Sequence, residues 1–129
     1  MKKVLGMGAA LVDVLSSVDE AWIASSGSPK GGMTLINEEQ SKKLLSQIKN
    51  SVLVPGGSAC NTIVGLAKLG AKTAFISKIG EDELGKRFIA HLNETGVESE
   101  LLYSKKATGS VLAAVTPDAE RTMFTYLGA

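Results

Sequence analysis

The sequence has a single cysteine, Cys60, in 129 residues, so it can build no internal disulfide framework and carries no Cys/His spacing for a metal. That usage fits a reducing compartment. Charge of one sign is also missing: the formal net charge is +1, and no basic stripe of the kind that tracks a nucleic acid or an anionic membrane is present. Long apolar runs are absent too. The stretch after Met1-Lys2-Lys3 is interrupted by Gly6 and Gly8 and stops at Asp13, too short for a membrane span and poor as a secretory core. No repeat, low-complexity tract or linker appears. The expectation is a cytoplasmic domain with one core, free of nucleic acid and membrane.

What is present is 44% hydrophobic and 21% charged, the range of ordinary globular proteins. Val4 to Val12 reads as a buried parallel strand, with Val14 to Val18 extending it or starting another. Asp19 caps a short helix to Ser26, and Gly27 to Gly32 is a loop before a short strand at Met33 to Ile36. Asn37 caps a helix to about Lys49 with Leu44, Leu45 and Ile48 on its apolar face. Val52 to Val54 is a strand closed by Pro55-Gly56-Gly57. Ser58 then caps a helix to Leu69, with Ile63, Leu66, Ala67 and Leu69 as core and Gly70 as its stop. Lys72 to Ile79 is a second core strand, and Asp82 caps a helix to Glu94, with Leu84, Phe88, Ile89 and Leu92 at helical spacing and Gly96 after it. The tail reads as strands at Leu101 to Tyr103, Ser110 to Thr116 and Thr122 to Leu127, the last two joined by a turn at Pro117-Asp118-Ala119-Glu120. This order predicts a three-layer α/β sheet with parallel strands, plus a small second sheet.

Two phosphate motifs nearly fit. Gly6-Met7-Gly8-Ala9-Ala10-Leu11 has Leu11 where a dinucleotide fingerprint needs its third glycine, and no helix follows directly. The stretch from Gly65 to Thr73 resembles a P-loop but ends a helix and leads into a strand, the wrong polarity for presenting N–H groups to phosphate.

The informative segment is Pro55-Gly56-Gly57-Ser58-Ala59-Cys60-Asn61. Its glycines permit close backbone approach, the helix start offers unpaired N–H groups, and the Asn61 amide can donate to and accept from hydroxyls. That suits a polyhydroxy ligand; a tight turn with a Ser cap fits the same residues. Asp13, at a strand end, could accept from two adjacent hydroxyls or simply be solvated. His91 reads as a surface histidine, Cys60 as a small packed residue, Glu81-Asp82-Glu83 as an acidic helix start, and Trp22 and Tyr103 as lid or core aromatics.

Gly56-Gly57-Ser58-Ala59-Cys60-Asn61, then Ala67 to Ala71, then Ile79-Gly80-Glu81-Asp82-Glu83-Leu84-Gly85 is similar to the N-terminal signature of the ribokinase/PfkB kinases, and Gly6-Met7-Gly8 with Asp13 resembles that family's first strand. Thr108-Gly109-Ser110 resembles a lid strand. The resemblance implies a ribokinase-like fold: a Rossmann-like three-layer α/β/α sheet, here incomplete, with a small β lid from about residues 14–36 and 101–127. It implies that Asp13, Gly56, Gly57, Ser58 and Asn61 hold substrate hydroxyls. Leu11, apolar where ribokinases proper carry Asn, points to the adenosine-kinase-like branch, and Val111, Met123 and Leu127 are then wall candidates as well as plain strand core. It also implies ATP and Mg2+ as cofactors, acting mostly outside these residues. The family's Gly-Ala-Gly-Asp segment, with its general base, does not occur in this sequence. The expectation is a nucleoside or sugar kinase whose first 129 residues alone are inactive and, with apolar surface uncovered, prone to associate, with a homodimer through the lid open. A non-catalytic binding module and a β-flap pairing domain are the alternatives.

Overall fold

The computed structural model describes residues 2–129. The start at Met1 that was read against a signal peptide lies outside them. The elements run β1 (Val4–Met7), β2 (Leu11–Ser17), α1 (Glu20–Ser26), β3 (Met33–Leu35), α2 (Glu38–Ser46), β4 (Val52–Gly56), α3 (Ser58–Lys68), β5 (Thr73–Gly80), α4 (Glu83–Glu94), β6 (Glu98–Ser104), β7 (Gly109–Val115) and β8 (Arg121–Tyr126). They fall into two compact units, one of residues 1–12, 55–109 and 127–129, the other of residues 13–54 and 110–126.

The first unit is built on a parallel sheet in the order β1-β5-β6. β5 pairs with β1 from Val4↔Thr73 to Met7↔Ile76 and with β6 from Ala74↔Glu98 to Gly80↔Ser104. Parallel strands need helices to cover them; α3 packs on β1 and β5, and α4 on β5 and β6. Phe75, Ile79, Phe88 and Leu92 are fully buried, and the Phe75 and Phe88 rings lie 6.1 Å apart. Gly6 sits within β1 because any Cβ there would run into Ile63 of α3.

The second unit is a five-stranded sheet in the order β3-β8-β7-β2-β4. β7 and β8 form the expected antiparallel hairpin, and β3 lies parallel to β8. Lys30 ties the loop before β3 to the rest, reaching Glu20 and Asp118 at 2.6 Å each. Both helices of this unit start as the sequence predicts: Asp19 accepts from Trp22 N at 2.7 Å, and Asn37 and Gln40 form a reciprocal capping box at 2.8 and 2.9 Å. Val14, Ile23, Leu112, Ala114 and Phe124 form the core, with Trp22, Ile36, Leu44, Leu45, Ile48 and Leu53 packed against it. Trp22 meets Phe124 edge-on at 5.8 Å.

Five expectations are corrected. The apolar run from Val4 to Val12 is two strands, not one. Gly8 closes the first ladder by donating to Ile76 O at 3.3 Å, and β2 then joins the other sheet, so Asp13 is the third residue of β2 rather than the end of a strand. Leu101 to Tyr103, grouped with the lid strands, belongs to β6 and is locked beside β5 by seven paired residues. Ser58 does not cap α3: Gly57 is the N-cap, and no side-chain hydrogen bond caps the helix. Leu69 is 85% exposed rather than core, because it falls at the helix C-cap. The helix begun at Asn37 stops at Ser46, short of Lys49.

Candidate functional site

The face of the five-stranded sheet opposite its helices can be read from strand parity. Val14, Leu112, Ala114 and Phe124 point into the core. Their alternates therefore point the other way: Leu11, Asp13 and Leu15 on β2, Val111, Ala113 and Val115 on β7, Arg121, Met123 and Thr125 on β8. Register agrees, pairing Val111↔Thr125, Ala113↔Met123 and Val115↔Arg121. Met33 and Leu35 of β3 pair with Met123 and Thr125, and Val52 and Val54 alternate with core-facing Leu53. Neither α1 nor α2 covers this second face. Its centre, Val111 and Ala113, is buried, whereas Met33, Leu35, Val52, Val54 and Met123 are exposed at its margins.

In this apolar setting Asp13 is half-buried, and no group among the described residues donates a hydrogen bond to it. Burial pushes its carboxyl above the usual range, and the charge of Arg121 pulls it partly back. Its oxygens have no protein donor and stay open to solvent, where a ligand hydroxyl can donate in place of water. Of the sequence-predicted residues, Leu11, Asp13, Val111 and Met123 thus share one face.

The others lie in the first unit. Gly57 has φ +97°, and a Cβ on it would sit 2.7 Å from Ala9 O. Its carbonyl accepts from Asn61 N at 2.8 Å, starting α3, and the Ser58 and Asn61 side chains are exposed. Gly56 is buried at the end of β4. Leu11 and Leu127 approach each other at Gly109, where a Cβ would meet Leu11 Cδ2 and Leu127 O at 2.6 Å each. Leu127 lies just past β8 and is 56% exposed. Cys60 is fully buried beside this turn, and burial pushes its thiol up to about 11.

Asp82 is the contrasting carboxylate. Its Oδ1 accepts from Gly85 N at 2.8 Å and Thr108 Oγ1 at 2.6 Å, and its Oδ2 from Thr108 N at 2.8 Å. Thr108 Oγ1 in turn accepts from Gly80 N at 2.9 Å. Burial works to raise this carboxyl, but the bonds from Thr108 and Gly85 outweigh it and hold it below its ordinary value. The sequence marked Asp82 as a helix cap and missed the link to Thr108, which lies 26 residues on.

A cavity of about 610 Å³ in the second unit, lined by Ser17, Trp22, Lys49 and Asn50 among others, includes none of the predicted residues. Among the described residues no group of three or more His, Cys, Asp or Glu could hold a metal, and no helix is long and apolar enough to cross a membrane.

The profile of the "pfkB family carbohydrate kinase" matches residues 29–129. The chain belongs to the pfkB family. Adenosine kinase from Sinorhizobium meliloti superposes with a TM-score of 0.85 at 37% identity, over 98% of this chain and 39% of that one. A probable sugar kinase from Rhizobium etli CFN 42 gives 0.85 at 34%, with the same coverage. Fructokinase-2 of Solanum lycopersicum is 33% identical over 84 residues, 64% of this chain and 26% of that protein. The chain thus spans about a quarter of the fructokinase and two fifths of the solved kinases. The fold is the expected ribokinase-like α/β arrangement.

Proposed function

We infer that this chain is the acceptor-binding part of an ATP-dependent pfkB kinase that phosphorylates a hydroxyl of a nucleoside, adenosine first, or of a sugar such as fructose or ribose. The observation that carries the reading is Asp13: a half-buried carboxylate without a protein donor, on a sheet face of apolar side chains. Vicinal hydroxyls donate to the carboxylate, and Val111 and Met123 offer contact to an apolar base or sugar face. Gly56, Gly57, Ser58, Asn61, Leu11 and Leu127 are carried as substrate contacts on the family resemblance. Identity to an adenosine kinase at 37% supports the nucleoside, and identity to fructokinases supports the sugar.

ATP would supply the phosphoryl group. The described residues do not fit a Mg2+ site, and the sequence contains no Gly-Ala-Gly-Asp, so these 129 residues alone are inactive in this reading. The protein acts in the cytoplasm.

Calorimetry of the chain with adenosine, fructose and ribose tests the proposal. Binding of one of them, weakened at least tenfold by Asp13→Ala, is the expected result; loss of at least ~1.4 kcal/mol is the corresponding scale. Binding untouched by Asp13→Ala would overturn it. A second reading, pairing of two copies through the lid sheet, draws on the exposed Val52 and Val54 of edge strand β4. It expects a discrete dimer in sedimentation and no ligand.

A further inference from the structure

The outer strands of the two sheets are β1 and β6 in one, β3 and β4 in the other. Three of them are short: β3 has 3 residues, β1 has 4, and β4 has 5, ending in Pro55 and Gly56. β6 differs. It has 7 residues, Glu98–Ser104, without proline or glycine, in unbroken register with β5. Among the described residues its backbone makes no hydrogen bond outside that ladder, so the N–H and C=O groups on its far side have no protein partner. Its apolar side chains are open as well, Leu102 at 63% and Tyr103 at 57%. Shortness, proline and bulges are what normally blunt a free edge, and β6 has none of them.

Its charges are sorted by end. Glu98 and Glu100 open the strand, Lys105 and Lys106 follow it directly, and all four are exposed. Among the described residues Glu100, Lys105 and Lys106 have no ion-pair partner, and Glu98 has Lys3 alone. A second β6 laid alongside in parallel would set like charges together. Turned end for end, it sets each acidic end against a basic one. A two-fold axis normal to the sheet keeps equivalent faces together, so residues of equal parity stand opposite each other. With Leu102 on the axis, Glu98 meets Lys106 of the second copy, Ser99 meets Lys105, and Leu101 meets Tyr103. Glu100 then lies one diagonal step from Lys106, within reach of a long side chain.

We propose that the free edge of β6 is a docking surface for a second copy of this chain, which adds its own β6 antiparallel and continues the sheet across a two-fold axis. The backbone ladder supplies the attraction, and the sorted charges fix direction and register. One strand pair is a small interface, so the dimer is weak and depends on concentration. Its ion pairs are exposed, so salt weakens it. The proposal is independent of the reading of Asp13, and it concerns a different sheet from the pairing through β4.

Sedimentation of the 129-residue chain over a range of concentrations is the first measurement, and a monomer–dimer equilibrium is expected. An all-basic edge (Glu98→Lys with Glu100→Lys) and an all-acidic edge (Lys105→Glu with Lys106→Glu) should each weaken dimerisation about tenfold or more. Mixed one to one, the two variants should pair again, because every lysine then meets a glutamate. The four positions are exposed, so both variants should unfold in urea close to the parent chain. The register is tested by Leu102→Cys, which should give a disulfide-linked dimer on mild oxidation, since opposed residues on antiparallel strands lie within disulfide reach. Cys60 is fully buried and leaves no background. Leu69→Cys, 85% exposed at the end of α3, should stay uncrosslinked. A chain that is monomeric at every concentration overturns the proposal. So does a dimer that both charge variants leave intact, or one that crosslinks faster through Val54→Cys on β4 than through Leu102→Cys.

Discussion

In the parallel-sheet unit the carboxylate of Asp82 receives three protein hydrogen bonds and is held below its ordinary pKa; in the five-stranded unit Asp13, partly buried as well, receives none and is pushed up. The two residue types are identical, and the difference lies in who supplies the donors. Around Asp82 the chain closes on itself: Gly85 lies in the first turn of α4, Thr108 precedes β7, and Gly80 ends β5. Around Asp13 one face of the sheet is spent on a core with two helices, and the other keeps its apolar side chains and a carboxylate that only solvent bonds. A carboxylate bonded by the chain stabilises the fold, whereas one partly buried without protein donors costs stability.

The sharpest way to break the comparison is to remove Asp82. Asp82→Ala strands the N–H groups of Gly85 and Thr108 and the buried Thr108 hydroxyl, and should cost about 3 kcal/mol in urea unfolding. A smaller loss, about 2 kcal/mol, is expected of Gly57→Ala, which forces a side chain onto φ +97° against Ala9 O. The smallest effect has the opposite sign. Asp13→Asn removes a charge that the folded state disfavours, so its urea midpoint at neutral pH should lie slightly above wild type. Equal or lower stability would mean that Asp13 has a donor in solution.

The pH dependence separates the two aspartates further. Asp82 has a lowered folded pKa, so its contribution is complete above the ordinary aspartate value of 3.8 and is lost as pH falls through the folded value. Asp13 has a raised folded pKa, so its ionisation costs stability as pH rises through the interval above 3.8, and the advantage of Asp13→Asn should vanish in acid.

Much of this architecture was legible in the sequence, and unevenly so. The helix starts at Asp19, Asn37 and Asp82 were plain because capping is local chemistry, and Gly70 and Gly96 marked helix ends for the same reason. The apolar run from Val4 to Val12 hid a change of sheet, because alternation does not say which partner a strand takes. β6 was misgrouped on similar grounds: with Leu102 and Tyr103 exposed it resembles an outer strand, and only its pairing with β5 assigns it. At the site, the family signature drew attention to Asp13 and the Gly57 turn. The bonds from Thr108 to Asp82 escaped notice because they join residues 26 apart in the chain.

The lone Cys60 gives the chain a built-in clock. It is fully enclosed in the first turns of α3, and its thiol titrates near 11, so at pH 8 only about one molecule in a thousand carries the reactive thiolate, before enclosure slows it further. Alkylation in the folded protein must then wait for the start of α3 to open. With no other sulfhydryl in the sequence to confuse the signal, the labelling rate reads directly how often the glycine turn lets go.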